Sequence, residues 1–564
     1  MARTGWSPWL LSVCVFGASA VLTGCKATYY RDDADREVYR LLASKHKRIL
    51  GRPMHFTIDP PPEEALAQVM RGHDPAGTAA TAADLDMAAA ERGKGLPEAA
   101  GLVQLTLRDV LGLATGHSRS FQREKEDLYL AILGLTGERF RWRPQWASGL
   151  NADATDGPDA DTVGAGGDLN VSQLLACGGQ FTLGLATDVL RRSTGDPRHT
   201  AASILTAELI QPLWRGAGRL VARENLTQAE RNAVYAVRSF ARTRKSFAVD
   251  VTSRYYRVLQ QRDAVTNQWS NYQRIQQSRR DTEAVAELVG ERSRLEVDQA
   301  RQEELRAEAN WVRAVYQYRE QLDQFKIFLG LPVNAPVTLD PGEVERLRGV
   351  GLRPVAISSD RATSIAVRRR LDLLTTYDQV VDAERAVALA RNGLAPDAQL
   401  RLAANVPSKP DTHAARLEFP QGTYTAGLDI DLPLQRKDER NAYREALVAL
   451  DRARRSADEQ RDEVTFAVRQ NWRALKEAER NHRIQAASVV LAERRVAGAR
   501  ELLRLGEATA RDLLEANEAL VNAQNALTRT LIDHTLARLA LWRDTELLRV
   551  GEDGVWQEAT DVDE

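Results

Sequence analysis

Cysteine, aromatic residues and long apolar runs are all scarce in this chain, and its charges nearly cancel. Its 564 residues include 77 Lys and Arg against 78 Asp and Glu. This balance argues against nucleic acid as a partner, because phosphate binding needs a basic excess. Three cysteines, one of them in an apolar N-terminal segment, leave no disulfide framework within one chain. After that segment no apolar run approaches about 18 residues, so any passage through a membrane would need a closed β-barrel.

The motifs of common enzyme classes are also missing. The sequence contains no HExxH, CxxC or GxSxG pattern, and no phosphate-binding GxxxxGK followed by Ser or Thr. The segment GAGRLV at 216–221 lacks the third glycine of a dinucleotide-binding loop. The eight histidines show no metal-ligand spacing. We therefore expect no enzymatic activity and no bound metal or cofactor.

Residues 1–24 are typical of a bacterial lipoprotein signal peptide. Arg3 supplies a positive charge, residues 9–22 form an apolar segment, and the sequence LTGC then matches the lipobox that precedes an acylated cysteine. We expect cleavage before Cys25 and attachment of acyl chains such as palmitate to that cysteine. Lys26 at the next position fits sorting to the outer membrane in some bacteria. The alternative is an ordinary leader that happens to end near a cysteine.

Composition divides the rest of the chain into regions. Residues 26–50 are charged and predicted to be helical, whereas 51–100 are rich in Pro, Gly and Ala and are typical of a partly disordered tether. Cys177 is predicted to be a small buried residue. The predicted domains are a signal peptide at 1–24, a lipid-anchored N-terminal extension at 25–100, a first repeat at 101–350, a second repeat at 351–550 and a C-terminal tail at 551–564.

The two repeats carry similar motifs in the same order. The stretch VGERSRLEV at 289–297 matches LGEATARDL at 505–513, which lies 216 positions further on. The same offset aligns YRVL at 256–259 with WRAL at 472–475. Because the matches keep one order along both halves, they indicate an internal duplication. Each repeat is predicted to contain a helical stretch, two strands and a long helical hairpin.

Alternation of apolar and polar residues predicts four strands. In 423–434, for example, Tyr424, Leu428 and Ile430 face one way while Asp429 faces the other. The same alternation describes both a transmembrane barrel and a half-buried soluble sheet. The helical stretches are predicted at 105–139 and 357–393, and the strands at 181–189, 203–211, 398–406 and 423–434.

A long helical hairpin follows each strand pair, at 221–328 and 440–548. Each is predicted to have arms of about 45–50 residues and to turn just before Gly290 or Gly506. Apolar residues spaced three and four apart predict coiled-coil seams on the second arms, because arms of this length need partners along their whole length. The seam residues are Leu513, Ala516, Leu520, Ala523 and Leu527 in the second repeat, and Leu305, Ala309, Val312 and Tyr316 in the first.

Four strands, two long hairpins, a duplicated plan and a lipobox together resemble the TolC-like outer-membrane efflux protein family. The resemblance covers roughly residues 104–550. The two hairpin-turn motifs around Gly290 and Gly506 carry it best, together with VVDAERAVALARNGLAPDAQL at 380–400 and QPLWRGAGRLV at 211–221.

The resemblance implies an α+β membrane protein that assembles as a homotrimer. Each protomer would give four β-strands to a shared twelve-stranded outer-membrane β-barrel, and its α-helical coiled-coil hairpins would form a tunnel through the periplasm. The implied function is the passive exit duct of a tripartite efflux or type I secretion system, with a periplasmic adaptor and an inner-membrane transporter as partners. Segments 147–173 and 407–421 would be surface excursions at the extracellular end.

The resemblance also suggests functional residues. The hairpin turns would form the periplasmic tip where the adaptor docks and the channel closes, and acids near the tip could constrict the pore and favour cations. Solvated helix charges are the alternative interpretation of these acids. The tip residues are Gly290, Glu291, Val297, Gly506, Glu507, Asp512 and Leu513, and the pore-constricting candidates are Asp281, Glu283, Glu287 and Glu501.

Two other functions compete with the duct. A lipid-anchored periplasmic adaptor also contains a coiled-coil hairpin, but it should show one hairpin flanked by small β-domains. A structural coiled-coil lipoprotein would not need the alternating strands. The localisation expected for the duct is the outer membrane of a Gram-negative-type bacterium, lipid-anchored and extending into the periplasm.

Overall fold

The computed structural model describes residues 26–51, 56–59, 103–155, 162–192, 199–289, 294–409, 413–505, 507–551 and 553–558. The predicted signal peptide, Cys25, most of the predicted tether and the turn residues Gly290, Glu291 and Gly506 lie outside these residues. Contacts divide the chain into two compact units. The first comprises Met1–Thr57, Leu128–Val237 and Ala388–Tyr443, and the second comprises Ile58–Asp127, Arg238–Val387 and Arg444–Glu564.

Helices account for most of the described chain, and none of those described is long and apolar enough to cross a membrane. They are α1 (Ala27–Leu50), α2 (Leu107–His117), α3 (Arg119–Phe140), α4 (Arg219–Ala222), α5 (Glu224–Val289), α6 (Arg294–Leu329), α7 (Gly342–Val350), α8 (Ser359–Arg369), α9 (Leu371–Gly393), α10 (Lys437–Leu505) and α11 (Ala510–Asp544). The strands are β1 (Val103–Leu105), β2 (Gln145–Thr155), β3 (Thr162–Leu174), β4 (Gln180–Arg192), β5 (His199–Pro212), β6 (Val337–Leu339), β7 (Asp397–Lys409), β8 (His413–Leu417), β9 (Thr423–Asp431), β10 (Leu548–Val550) and β11 (Trp556–Glu558).

One antiparallel sheet dominates the first unit. Its order is β2-β3-β4-β5-β7, and both β8 and β9 pair with β7. The four predicted strands are present as β4, β5, β7 and β9, so the alternation in the sequence located them correctly. The pairing of β5 with β7 joins the strands of the two sequence halves, with Leu205 opposite Val406 and Leu209 opposite Leu402.

The sheet is larger than the sequence predicted. Segment 147–173, expected to be a surface excursion, lies mainly in the hairpin β2–β3, and every residue of β2 has a partner in β3. Segment 407–421, also expected to be an excursion, contains β8, which pairs with the end of β7. The first segment is rich in Gly and Asp and the second contains three prolines, but pairing with a neighbouring strand overrides that local preference.

The two long hairpins are present, with unequal arms. The first consists of α5, with 66 residues, and α6, with 36; the second consists of α10, with 69 residues, and α11, with 35. Helices α5 and α10 end at Val289 and Leu505, one residue before the predicted turn glycines. The turns were therefore placed correctly, whereas the equal arms of 45–50 residues were wrong because the turn does not lie at the middle of either hairpin.

The second unit has its core along these arms. In the second hairpin Leu513, Ala516, Leu520 and Ala523 are buried against Ala492 and Val496 of α10, as the seam predicted. In the first hairpin the predicted seam was wrong for a single chain, since Leu305 is 60% exposed and Tyr316 is 55% exposed. The buried stripe of α6 lies on a neighbouring helix face and includes Ala307, Trp311, Ala314, Tyr318 and Leu322.

Trp311 explains why the first hairpin buries that other face. Its ring stacks on Tyr272 of α5 at a centroid distance of 5.9 Å and contacts Trp269 at 4.6 Å. Large aromatic side chains dominate packing because each buries more apolar area than an aliphatic side chain. The predicted seam residues Leu305 and Tyr316 therefore lose the interhelical position to this aromatic group.

The predicted helical stretches 105–139 and 357–393 are each two helices. The first is divided at Ser118 and the second at Arg370, whose backbones are extended. Helix α2 begins with a capping box in which Thr106 and Asp109 satisfy each other's backbone N–H groups. Short strand pairs that the sequence analysis did not predict, β1–β6 and β10–β11, complete this unit.

Candidate functional site: the sheet faces and the hairpin turns

One face of the sheet is apolar across six strands. A row of paired residues runs from Trp146 through Val171, Leu183, Ala207 and Ala404 to Tyr424. A neighbouring row contains Leu169, Leu185, Leu205 and Val406. Several of these side chains are well exposed in the single chain, among them Trp146 at 70% and Tyr424 at 62%. An exposed apolar surface of this kind is typical of a face that contacts lipid or another protein.

The opposite face is polar. It carries Asn151 and Asp153 on β2, Asp168 and Asn170 on β3, and Asp188 on β4. Further along, Glu208 of β5 accepts a hydrogen bond of 2.6 Å from Nε of Arg401 on β7. A sheet with one apolar and one polar face is suited to different surroundings on its two sides.

Glycines on the polar face make room for these acids. A Cβ on Gly164 would lie 2.8 Å from an oxygen of Asp153, and one on Gly184 would lie 2.7 Å from the hydroxyl of Thr206. Without a Cβ at these positions, the polar side chains of neighbouring strands can lie across the sheet. The glycines in these strands, which are typical of a loop by composition, are therefore suited to the packing of polar side chains across the sheet.

A capping box organises the turn of the second hairpin. Thr509 donates from its backbone N–H and its hydroxyl to Asp512, at 2.9 and 2.6 Å, and the backbone N–H of Asp512 donates to the hydroxyl at 3.3 Å. These hydrogen bonds lower the pKa of Asp512. The Ser293-x-x-Glu296 spacing predicts the same motif in the first hairpin, although Ser293 lies outside the described residues. The T-x-x-D pattern at 509–512 is thus the sequence signal for the start of α11, and the sequence analysis did not use it.

The other predicted tip residues lie close to these turns. Leu513 is buried against α10, Val297 is half-buried and Glu507 is exposed. The backbone N–H of Glu507 donates to the carbonyl of Leu502 at 2.9 Å, which closes the turn. Their role in adaptor docking stays a prediction.

The predicted pore-constricting acids have partners within the chain. Glu283 pairs with Arg279, which also pairs with Glu304 of α6. Glu501 accepts a hydrogen bond of 2.7 Å from Arg504, and this bond lowers the pKa of Glu501.

The other two predicted acids are Asp281 and Glu287. Asp281 is exposed and accepts a hydrogen bond of 2.7 Å from the amide of Gln277. Glu287 lies in α5, and its side chain is outside the described residues. A constriction by these four acids stays a prediction.

A polar link near the turns joins the two hairpins. Arg274 of α5 donates to the side-chain oxygen of Asn517 on α11 at 3.1 Å. Asn517 is buried and donates in turn to the backbone carbonyl of Leu513 at 3.0 Å. Burial, and secondarily the charge of Arg500, lowers the pKa of Arg274. Periodicity could not find this link, because it depends on two helices far apart in sequence.

Helix α1 is held by charged and aromatic contacts in the first unit. Lys45 donates to Glu230 at 2.6 Å, and Glu230 also pairs with Arg139 of α3. Near the N-terminus of α1, the carboxylate of Asp35 accepts a hydrogen bond of 2.7 Å from the hydroxyl of Tyr129. The helix predicted at 26–50 is therefore confirmed and docked on α3 and the start of α5. Cys25, two residues before α1, lies outside the described residues.

Cys177 differs from its prediction. It is exposed in the β3–β4 turn, and its thiol donates to the side-chain oxygen of Gln211 at 2.9 Å. The buried position expected for it was wrong, because the segment around it belongs to a hairpin turn rather than to a core. Among the described residues no group of His, Cys, Asp and Glu side chains is arranged to hold a metal ion.

Comparison with known proteins identifies the fold. No protein-family model and no curated protein sequence matches this chain. Among solved structures, the CmeC outer-membrane channel of Campylobacter jejuni aligns with a TM-score of 0.57 at 14% identity, covering 81% of this chain and 87% of that one. The outer-membrane protein VceC of Vibrio cholerae aligns with a TM-score of 0.55 at 15% identity, covering 78% and 95%.

A third structure, the open state of the MtrE outer-membrane channel of Neisseria gonorrhoeae, aligns with a TM-score of 0.54 at 14% identity, covering 78% of this chain and 88% of that one. At such low identities a structural likeness establishes the fold alone. This chain therefore has the fold of outer-membrane channels, which confirms the TolC-like fold expected from its sequence.

Proposed function

We propose that this chain forms the outer-membrane exit duct of a tripartite efflux or type I secretion system. The observation that carries the proposal is the sheet with its two contrasting faces. Trp146, Leu150 and Leu428 are 70%, 87% and 57% exposed on the apolar face, and such side chains gain free energy on transfer to lipid. The duct would conduct passively and catalyse no reaction, with energy supplied by an inner-membrane transporter.

The duct is proposed to be a homotrimer whose sheets close into one β-barrel. A single open sheet leaves edge N–H and C=O groups unpaired, and in a bilayer each such group costs several kcal/mol. Closure between copies removes those edges. The long hairpins are proposed to extend into the periplasm, where the turns at Thr509 and its counterpart in the first hairpin would meet a periplasmic adaptor and gate the channel.

The bounds of the helices support the proposed duplication. Helix α8 begins 252 positions after α2, and α9 begins 252 positions after α3. The turns also correspond, since α10 ends 216 positions after α5 and α11 begins 216 positions after α6. Duplication of one ancestral unit produces constant offsets of this kind between corresponding helices. Two hairpins in one chain also favour the duct over an adaptor, which is expected to have one.

A lipid on Cys25 is proposed as a second anchor. Helix α1 begins at Ala27 and is fixed to the first unit through Lys45 and Asp35. The acyl chains would therefore be attached next to a docked helix, where they would add membrane affinity to that of the barrel. Cys25→Ser is expected to abolish labelling with radioactive palmitate and to leave the protein in the membrane fraction. Recovery of this variant in the soluble fraction would show that the lipid, and not the sheet, holds the protein.

The proposal is tested by membrane fractionation and conductance. The expected result is an outer-membrane trimer that survives SDS at room temperature and dissociates on heating. In planar bilayers, conductance should rise when the tip is loosened by Thr509→Ala. The matched control is Arg511→Ala, an exposed residue in the same helical turn that makes no hydrogen bond of the capping box. Recovery solely in the inner membrane or the soluble periplasm would refute the duct.

A further inference from the structure

We propose that each copy contributes six strands rather than four to the membrane wall, with strand β2 of one copy paired to β9 of the next. The partner surface is thus a second copy of this chain, joined edge to edge. This inference rests on the proposed trimeric duct. It deepens that function because it fixes which strands form the boundary between copies.

Hairpin β2–β3 is a full continuation of the sheet. All 11 residues of β2 are registered with β3, from Gln145 opposite Ser172 to Thr155 opposite Thr162. All 13 residues of β3 are registered with β4, from Thr162 opposite Arg192 to Leu174 opposite Gln180. Strand β3 therefore occupies the edge of β4 along its whole length. In a four-strand arrangement β4 would have to give up these hydrogen bonds to pair with another copy.

The contrast between the faces continues to the last strand. On β2, Trp146 and Leu150 lie on the apolar face, whereas Asn151 and Asp153 lie on the polar face, the face that also carries Asp168 of β3. A hairpin projecting into water would have no reason to keep an apolar side aligned with that of the sheet. The alignment is what a strand in contact with lipid requires.

The two open edges are compatible with each other. Among the described residues β2 pairs only with β3, and β9 pairs only with β7. The six strands alternate in direction, so β2 and β9 run antiparallel when two copies stand side by side. Their lengths are similar, with 11 residues in β2 and 9 in β9. Edge pairing would thus continue the antiparallel pattern around the ring.

The six-strand contribution changes the pore. Three copies of six strands give an eighteen-stranded barrel instead of a twelve-stranded one. Barrel diameter rises roughly in proportion to strand number, so the barrel would be about 1.5-fold wider. The added strands also bring Asp153 and Asp168 to the water-filled side, next to Asp188 of β4.

Disulfide cross-linking between copies tests the strand boundary. In a Cys177→Ser background, Asn151→Cys on β2 would be combined in turn with Thr425→Cys, Gly427→Cys or Asp429→Cys on β9, which scans three registers on the polar face. In the competing set, Ala186→Cys on β4 takes the place of Asn151→Cys and is combined with the same three β9 cysteines. Oxidation is carried out in outer membranes, and products are separated on non-reducing gels after heating.

A matched control shows that the sheet is folded. Ala403 and Thr425 are registered partners on β7 and β9, so the Ala403→Cys/Thr425→Cys variant should form a disulfide within one chain. The expected result is a shift of the monomer band to dimer and trimer bands with at least one β2–β9 pair, and none with the β4–β9 pairs.

The other outcomes separate this inference from the proposed function. Bands from the β4–β9 pairs alone would overturn the six-strand wall and leave the trimeric duct intact. Heat-modifiable trimers without any β2–β9 cross-link would also overturn the six-strand wall and leave the trimeric duct intact. Absence of trimers while the control disulfide still forms would overturn both proposals.

Discussion

The orientation of the sheet can be tested with a pair of neighbouring arginine substitutions on β4. Leu185 lies near the middle of Gln180–Arg192, on the apolar face between Leu169 and Leu205. Ala186 is the next residue, on the polar face and registered opposite Asp168. In the proposed barrel, Leu185→Arg would place a charge against lipid, whereas Ala186→Arg would place the same charge in water beside an acid.

The expected difference is large. Arginine on the lipid face of a barrel costs about 2–4 kcal/mol near the bilayer midplane and much less on the lumen face. Per chain this is a roughly 25- to 700-fold shift toward the unfolded state for Leu185→Arg. For Ala186→Arg we expect a change within about 0.5 kcal/mol, as for surface substitutions in general.

The assay is a urea titration of the protein refolded into vesicles, read as the fraction of heat-modifiable trimer. A lower urea midpoint for Leu185→Arg, with Ala186→Arg close to the parent protein, would support the orientation. Equal midpoints, or a larger loss for Ala186→Arg, would refute it, since both variants add the same side chain at the same depth.

Three further predictions concern the helices and their supports. Gly330, at φ +83°, faces the backbone carbonyl of His117, so Gly330→Ala should cost about 3 kcal/mol in chemical denaturation through strain and overlap. Gly51→Ala, also at positive φ but in open space, should cost only about 1 kcal/mol. Burial raises the pKa of Glu230, but hydrogen bonds and charge from its two cationic partners outweigh burial and lower it overall. The stabilisation of α1 by Glu230 is therefore complete above the usual Glu pKa near 4.5 and is lost as pH falls through the lowered pKa. Hydrogen exchange in α1 should show this loss for the parent protein but not for Glu230→Gln. Thr509→Ala should cost about 1 kcal/mol and speed hydrogen exchange in the first turn of α11, and unchanged exchange there would contradict the capping role.

The sequence alone determined the elements whose pattern is local. Alternation located β4, β5, β7 and β9, and helical periodicity with the turn glycines located both hairpins. These elements were predictable because a strand exposed to different surroundings on its two faces must alternate, and a long amphipathic helix must repeat every three to four residues. The fold followed from their order, and the comparisons with solved channels confirm it.

Tertiary structure decided what local pattern could not. The β2–β3 segment contains Gly, Asp and Ala residues typical of a loop, and its alternation is weak because Gly164, Gly166 and Gly167 have no side chains to show it. It becomes strand only because β4 offers an edge along 13 residues. Likewise, the seam of α6 is set by Trp311 packing on α5, and the Arg274–Asn517 link joins helices distant in the chain. In each case the deciding free energy comes from a partner that is absent from the local sequence.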